Sequence, residues 1–173
     1  MRVVVIGNFD GVHCGHRHLL RTARTLAGAT RVAAVTFEPL PVEVLRPGAP
    51  MGRLTPAPVR RALLLAEGVA DEVVELDPRD GILGLDPDAF VEFLRREHPF
   101  GAIVEGPDFR FGRGRAGSLA TLRESGERLG FAVVEAALAS VTITDGTVVE
   151  ARSSAIRALL AEGRVADAAC VLG

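Results

Sequence analysis

A glycine-rich stretch with two histidines follows the first apolar run of the chain. Its sequence is Gly7-Asn8-Phe9-Asp10-Gly11-Val12-His13-Cys14-Gly15-His16. Glycines at a strand-to-helix turn let backbone amides approach an anion without a Cβ in the way. Because His13 and His16 are three residues apart, we expect both imidazoles to point into the same space. The pattern predicts a phosphate-binding turn, and therefore nucleotide chemistry.

Composition limits the kinds of partner. The chain has 173 residues, 48% of them apolar, which suits a single domain over residues 1–173 with one well-packed core. The formal net charge of −2 lacks the positive field of a nucleic-acid binder, so we expect no nucleic-acid partner. All 20 basic residues are arginines, so a charged side chain that binds phosphate has to be a guanidinium.

The two cysteines, Cys14 and Cys170, are too few and too far apart in sequence to indicate a disulfide framework or a metal site. No apolar run approaches the roughly 20 residues of a membrane-spanning helix, and the start of the chain lacks a signal-peptide pattern. We therefore expect a cytoplasmic protein with no membrane partner.

Strand-like and helix-like segments alternate along most of the chain. We predict strands at residues 3–6, 31–37, 72–76, 101–104 and 131–135. We predict helices at residues 16–26, at 88–96, at 118–129, and from an N-cap at Thr55 to a stop at Gly68, with a long loop at 38–54. This order predicts an α/β fold, a Rossmann-like doubly wound parallel sheet with right-handed crossovers.

The last part of the chain has a different pattern. Residues 141–149 alternate around Asp145-Gly146, which predicts a small β-hairpin. Residues 153–160 and 164–172 read as two C-terminal helices separated by Glu162-Gly163.

Open α/β sheets bind ligands beyond the carboxyl ends of their strands. Three predicted turns lie there, at residues 7–16, 36–41 and 105–112. The helix start at residues 153–157 adds hydroxyls and a guanidinium. We expect these four segments to build the functional site.

Five motifs in these segments together carry a family resemblance. They are Gly-Asn-Phe-Asp-Gly-Val-His-Cys-Gly-His, Thr-Phe-Glu-Pro-Leu-Pro, Arg-Leu-Thr at 53–55, Gly-Pro-Asp-Phe-Arg-Phe-Gly and Ser-Ser-Ala-Ile-Arg. In this order they resemble the adenylyltransferase module of the prokaryotic bifunctional riboflavin kinase/FAD synthetase family, over residues 3–173. The His-x-Gly-His signature alone is shared by a wider nucleotidyltransferase superfamily and indicates only the type of reaction.

The resemblance implies an FMN adenylyltransferase of the HIGH-type nucleotidyltransferase fold. Such an enzyme converts ATP and FMN into FAD and pyrophosphate with Mg²⁺. The residues implied in catalysis and in holding the phosphates are His13, His16, Ser153, Ser154 and Arg157. Those implied in binding ATP are Gly7, Asn8, Phe9, Asp10, Gly11, Gly15, Gly106 and Asp108. Those implied around the flavin are Thr36, Phe37, Glu38, Pro39, Phe109 and Phe111, and the metal ligands stay unassigned.

The chain departs from the family pattern at several places. Leu40 stands where the family usually has His. In the hydroxyl-rich motif, Arg152 replaces the first Ser and Ser154 replaces the Thr. The family often has a basic residue just before this motif; this chain has Glu150 there, and Arg152 could take over its role. A sequence of 173 residues is too short to contain also the riboflavin kinase domain of the bifunctional members. We therefore expect no riboflavin phosphorylation, and a separate riboflavin kinase as the source of FMN.

Other interpretations of these residues stay open at this stage. Asp10 could bind a metal or bond nearby amides, Phe109 and Phe111 could be core residues, and Ser153-Ser154 could be a simple N-cap pair. At the level of function, the alternatives are a nucleotidyltransferase of the same fold with another phosphorylated acceptor, and a catalytically weak flavin- or nucleotide-binding module.

Overall fold

The computed structural model describes residues 2–48, 52–66 and 70–173. Its centre is a five-stranded sheet in which every pair of neighbouring strands is parallel. The strands are β1 (Arg2–Ile6), β2 (Arg31–Phe37), β3 (Glu72–Leu76), β4 (Ala102–Glu105) and β5 (Ala132–Glu135), in the order β3-β2-β1-β4-β5. The predicted α/β fold with a doubly wound parallel sheet is confirmed.

The helices lie between successive strands of the sheet and, in sequence, after the last of them. They are α1 (Cys14–Ala27), α2 (Pro41–Leu45), α3 (Ala57–Ala66), α4 (Pro87–Glu97), α5 (Leu119–Leu129), α6 (Ser153–Ala161) and α7 (Val165–Leu172). Short 3₁₀ turns lie at Ile82–Gly84 and Arg113–Arg115. Strands β6 (Ser140–Thr142) and β7 (Val148–Glu150) form the predicted antiparallel hairpin before α6.

Both faces of the sheet are covered at its centre, which explains the apolar runs of β1, β2 and β4. Along β1, Val3 and Val5 belong to one buried cluster, which includes residues of α1 and α3, while Val4 and Ile6 belong to another, which includes residues of α4 and α5. A third cluster joins α6 and α7 to the hairpin and contacts Cys14 at the start of α1. The C-terminal helices therefore pack beside the start of the first helix.

Three local predictions differ from the structure. Helix α1 begins at Cys14, two residues earlier than predicted, and α2 lies inside the segment predicted as a loop. Helix α3 begins at Ala57, with the first helical hydrogen bond running from the Arg60 amide to the Pro56 carbonyl. Thr55 is therefore not its N-cap, because the Thr55 hydroxyl oxygen accepts instead from the Gly11 amide at 3.0 Å. The predicted stop at Gly68 lies outside the described residues.

A crevice opens between β1 and β4, where the order of the strands reverses. Their pairing register is Val3 with Ala102 and Val4 with Ile103. Beyond this point the Ile6 amide donates to the side chain of Glu105, at 2.6 Å from Oε1. Such a reversal at the carboxyl edge of a parallel sheet is where open α/β folds bind their ligands.

Candidate active site

A cleft of about 300 Å³ lies at the carboxyl ends of β1 and β4. Four segments line it: the start of α1, the turn after β4, residues 137–139 after β5, and residues 150–154 leading into α6. A larger, shallow depression of about 620 Å³ lies at the opposite edge of the sheet, around Arg2, Arg31 and Pro99. We take the smaller cleft as the site, because it holds the predicted histidines and lies at the strand-order reversal.

Asp10 holds the glycine-rich turn in place from beneath. Its buried carboxylate accepts hydrogen bonds from the amides of Leu54 and Thr55, at 2.9 and 3.0 Å from Oδ1, and forms an ion pair with Arg157 of α6. Its carbonyl oxygen accepts from the Ser153 hydroxyl at 2.8 Å. Asp10 thus joins three segments that are distant in sequence, and the amides from which it accepts are 44 and 45 residues away rather than in its own turn.

His13 and His16 stand side by side at the start of α1. Their rings are stacked with centroids 3.6 Å apart, and Phe9 packs edge-on against His16 at 5.1 Å. His13 is also the N-cap of α1, because its Nδ1 accepts from the His16 amide at 3.4 Å. With Nδ1 as acceptor, the proton of the neutral imidazole is placed on Nε2.

Burial keeps both imidazoles neutral near pH 7. It lowers the pKa of His13 to about 4, against an opposing influence from Asp10. Burial also lowers the pKa of His16 well below its usual range, and the neighbouring His13 adds to this effect. The pair can therefore offer N–H donors to phosphate oxygens without carrying a full positive charge.

Gly15 lets the starts of α1 and α6 come together. A Cβ at this position would overlap the carbonyl oxygen of Ala151 and lie 3.1 Å from the ring of His13. Any larger residue would push α1 away from the segment that leads into α6. The glycine between the histidines is therefore required by close packing between these two helices.

The start of α6 forms the opposite wall of the cleft. Ser153 and Ser154 both line it, and the Ser153 hydroxyl is the one that donates to Asp10. Arg157 lies one turn further on, where Nε donates to the Gly52 carbonyl at 3.2 Å and the guanidinium pairs with Asp10. In this arrangement Arg157 holds α6 against the glycine-rich turn, and its contact with phosphate stays a prediction.

Glu105, which the sequence interpretation did not single out, lines the cleft at the end of β4. Burial raises its pKa well above the usual range, and Asp108 adds to the effect, while the hydrogen bond from the Ile6 amide opposes it. The side chain is therefore neutral over part of the pH range in which an exposed glutamate is ionised. The one signal in the sequence was a carboxylate directly after a buried apolar strand.

Arg152 and two carboxylates form an exposed ion-pair cluster at the cleft. Its guanidinium contacts Glu150 at the end of β7 and lies 3.5 Å from Asp108 in the turn after β4. All three side chains are at least partly open to solvent. The cluster connects the segment that leads into α6 with the turn after β4.

The predicted flavin-binding turn follows β2 and is fixed to the glycine-rich turn. The Thr36 hydroxyl donates to the Asn8 carbonyl at 3.3 Å. Arg60 of α3 is fully buried and donates to the carbonyls of Asn8 and Phe37, at 3.1 and 2.9 Å, and to the carboxylate of Glu38 at 2.9 Å. Arg60 was missed in the sequence because it occupies a helix position that looks like a surface one.

A second arginine, Arg53, also binds the turn after β2. Arg53 donates to both carboxylate oxygens of Glu38, at 2.8 and 2.9 Å, and to Glu43 of α2. These hydrogen bonds from Arg53 lower the pKa of Glu43. Leu40 is buried between Glu38 and α2, and its amide donates to Glu43 at 2.8 Å. The departure at Leu40 therefore places an apolar side chain inside the turn.

The two phenylalanines after β4 have different surroundings. Phe111 is buried in the core, 5.9 Å from Phe90 between ring centroids. Phe109 is half-buried, stacks on Phe111 at 5.3 Å and lines the cleft. Phe109 can therefore present an apolar surface to a ligand, while Phe111 supports it from behind.

The predicted site residues thus divide into two groups. Those that line the cleft are His13, Gly15, His16, Gly106, Asp108, Phe109, Ser153 and Ser154. Those that the structure places outside that lining, within the described part of the chain, are Gly7, Asn8, Phe9, Asp10, Gly11, Thr36, Phe37, Glu38, Pro39, Phe111 and Arg157. Phe9 and Asp10 are buried, so their side chains support the cleft from below.

No group of three or more His, Cys, Asp or Glu side chains in residues 2–48, 52–66 and 70–173 is arranged to hold a metal ion. The carboxylates that line the cleft are Glu105, Asp108 and Glu150. Mg²⁺ is commonly bound through one or two carboxylates together with substrate phosphates, so these residues are compatible with a cation that is held mainly by a nucleotide.

Sequence comparison relates the chain to enzymes of flavin metabolism. A family model described as FAD synthetase matches residues 1–151. The bifunctional riboflavin kinase/FMN adenylyltransferase of Escherichia coli (strain K12) is 36% identical over 180 residues, which cover 99% of this chain and 54% of that protein. An FAD synthetase of Listeria monocytogenes is 28% identical, over 99% of this chain and 68% of its own length. The chain spans about half the length of the first of these relatives.

Structure comparison agrees on the fold. A crystal structure described as a macrolide-efflux protein from Streptococcus pneumoniae superposes with a TM-score of 0.83 at 27% identity, over 99% of this chain and 55% of that one. A lipopolysaccharide core biosynthesis protein from Thermoplasma volcanium superposes with a TM-score of 0.53 at 20% identity, over 79% of this chain and 95% of that one, and shares the fold. Within the described residues, no helix has the length and apolar character needed to cross a membrane.

Proposed function

The chain belongs to the FAD synthetase family, and on this premise we propose that it is an FMN adenylyltransferase. It transfers AMP from ATP to the phosphate of FMN, which gives FAD and pyrophosphate. The observation that carries the proposal is the cleft in which two neutral, stacked histidines face the start of α6. The relatives named as FMN adenylyltransferases support the choice of substrates.

The reaction is an in-line displacement at the α-phosphorus of ATP. A phosphate oxygen of FMN forms the new P–O bond, and the bond to the β-phosphate breaks as pyrophosphate leaves with its electron pair. Such a transfer depends mainly on alignment and on stabilising negative charge. The enzyme therefore needs donors directed at the phosphate oxygens rather than a covalent nucleophile.

His13 and His16 are suited to that task. Because burial lowers both pKa values, each ring is neutral at pH 7 and has one N–H to donate. Nδ1 of His13 is already an acceptor for the His16 amide, so Nε2–H is the donor that is left for the nucleotide. We assign both imidazoles to stabilising the charge that develops on the phosphate oxygens.

The start of α6 binds the triphosphate from the other side. Its first amides have no helical acceptor and point along the positive end of the helix dipole. Ser153 and Ser154 add hydroxyls at the same place. We assign them, together with the amides, to the β- and γ-phosphates.

The flavin is assigned to the other side of the glycine-rich turn. The turn after β2, with Thr36, Phe37, Glu38 and Pro39, is held rigid by the arginines at 53 and 60. Phe109 offers an apolar surface at the cleft. We propose that these two surfaces bracket FMN and place its phosphate next to ATP.

Mg²⁺ is proposed to arrive with ATP and to remain on its phosphates, where it would neutralise charge. Asp108 and Glu150 are carboxylates that line the cleft and would face the metal on the nucleotide. A riboflavin kinase is the proposed supplier of FMN. Both cysteines, Cys14 and Cys170, are free thiols, which supports a cytoplasmic location.

The test is to incubate the purified chain with ATP, MgCl₂ and FMN and to follow FAD and pyrophosphate by chromatography and a coupled assay. We expect both products in equal amounts, and neither when ATP, FMN or Mg²⁺ is left out. A parallel series replaces FMN by other phosphomonoesters. Formation of pyrophosphate with another acceptor but not with FMN would contradict the proposed substrate, and no pyrophosphate with any acceptor would contradict the reaction.

A further inference from the structure

The charges around the cleft do not match a triphosphate unless one arginine takes part. Among the described residues that line it, the charged or chargeable groups are Glu105, Asp108, Glu150, Arg152 and the two histidines. The histidines are neutral near pH 7, because burial lowers the pKa of both. Within this part of the chain, the guanidinium of Arg152 is therefore the one fixed positive charge that lines the cleft.

The other arginines near the cleft point to different partners. Arg157 pairs with Asp10 and donates to Gly52, and Arg17 donates to the carbonyls of Leu172 and Gly173 at 2.9 and 2.7 Å. The chain contains no lysine that could replace them. ATP carries three to four negative charges at neutral pH, so a side-chain cation has to come from a residue that can turn toward it.

Arg152 stands at the right place in the backbone. It is the N-cap residue of α6, directly before Ser153 and Ser154, and its extended backbone (φ −134°, ψ 149°) carries no capping side-chain bond. Its side chain starts next to the first amides of α6, which are assigned to the phosphates. A guanidinium there reaches the same anion as those amides.

The present partners of Arg152 are exchangeable. The guanidinium contacts Glu150 and lies 3.5 Å from Asp108, with 45% of the Arg152 side chain exposed. Ion pairs this open to solvent contribute little stability, and a phosphate offers two oxygens to the same fork of N–H donors. Replacing the contact of Arg152 with Asp108 by a contact with a phosphate therefore costs little stability.

We propose that Arg152 is an ATP-binding residue of this chain, which turns from Asp108 to the triphosphate while Glu150 keeps its guanidinium oriented. The proposal rests on the adenylyltransferase function. It assigns a role to a position at which this chain departs from the family pattern. It also predicts that Asp108 loses its ion pair when ATP binds.

The test compares Arg152→Ala and Arg152→Gln with a matched control, Arg128→Ala. Arg128 has nearly the same exposure, 46%, and also contacts two carboxylates, Asp88 and Glu92, but lies on α5. Loss of a charge-assisted contact predicts a rise of about tenfold in the KM for ATP in both Arg152 variants, with the KM for FMN unchanged. Arg152→Lys should recover part of this loss, and Arg128→Ala should behave like the unmodified chain.

Calorimetric binding of ATP without FMN separates this proposal from the proposed function. Weaker ATP binding in both Arg152 variants supports the role of Arg152 even if no FAD is formed. Glu150→Gln removes the carboxylate that orients the guanidinium and should weaken ATP binding, but less than Arg152→Ala does. Unchanged ATP affinity in Arg152→Ala and Arg152→Gln, or an equal loss in Arg128→Ala, would overturn the proposal.

Discussion

The carboxylate of Asp10 and the guanidinium of Arg157 form an ion pair between residues 147 positions apart in the sequence. The pair connects the glycine-rich turn after β1 to helix α6. Asp10 is almost fully buried and also accepts from the amides of Leu54 and Thr55. The two walls of the cleft are thus joined beneath it by one acidic side chain.

Replacing Asp10 should destabilise the whole domain. Asp10→Ala leaves the Leu54 and Thr55 amides and the Arg157 guanidinium without their acceptor, which is expected to cost about 3–5 kcal/mol of unfolding free energy. Urea denaturation followed by circular dichroism measures this loss. Asp77→Ala removes an exposed ion pair with Arg79 and should leave the stability close to that of the unmodified chain. Equal losses in both variants would show that Asp10 does not hold the turn.

His13 has two roles that two substitutions can separate. An asparagine can accept the His16 amide as the imidazole does, whereas alanine cannot, so only His13→Ala should lose about 1 kcal/mol of N-cap stability. Alanine has no donor, and the amide of the shorter asparagine does not extend as far as Nε2 of the imidazole, so both variants should lose about 10²–10³-fold in kcat. Steady-state kinetics and urea denaturation give the two numbers. Full activity in either variant would contradict the catalytic role of His13.

Acid should destabilise the protein through the two histidines. The pKa of His13 is about 4 in the folded protein and about 6.5 when unfolded, so the unfolded chain binds more protons between these values. The contribution of a neutral His13 to the free energy of unfolding is therefore fully present above pH 6.5. It is lost as the pH falls toward 4 and amounts to about 3 kcal/mol. His13→Asn removes this titration, and its unfolding free energy should fall less between pH 7 and 5. An identical fall in both proteins would contradict the burial of a neutral His13.

Glu105 should give the opposite dependence on pH. Its pKa is raised in the folded protein, so the folded chain binds the extra proton, and stability falls as the pH rises above the unfolded pKa of about 4.3. Glu105→Gln keeps an acceptor for the Ile6 amide but cannot ionise. Its melting temperature should exceed that of the unmodified chain at pH 8, with a smaller difference at pH 5. Glu135→Gln, at the neighbouring exposed position on β5, should show no such pattern.

The sheet was predictable because its central strands β1, β2 and β4 are buried on both faces. Val4 and Val5 lie on opposite faces and are both fully buried, so the apolar run is continuous and easy to recognise. Helix α2 was not predictable, because it has five residues, starts with a proline and buries no side chain. Thr55 looked like an N-cap because its acceptor role depends on Gly11, which is 44 residues away.

In the site, too, features with a local sequence pattern were predictable, and those that depend on distant contacts were not. The cleft-lining histidines and serines could be found from short motifs, because each motif is local in sequence. Glu105 and Arg60 could not, because their meaning depends on the Ile6 amide and the Asn8 carbonyl, which are 99 and 52 residues distant. A carboxylate after a strand and an arginine in a helix are ordinary features until the fold buries them.

The contact of Gly15 with the carbonyl of Ala151 has a consequence for how the protein is made. It brings the first and sixth helices together, as does the hydrogen bond of Ser153 to Asp10, across 143 residues of chain. The ribosome therefore synthesises the two histidines long before it synthesises the start of α6, which faces them across the cleft. Nucleotide affinity should appear only after α6 has been synthesised, so nascent chains that end before Ser153 are expected to bind ATP weakly.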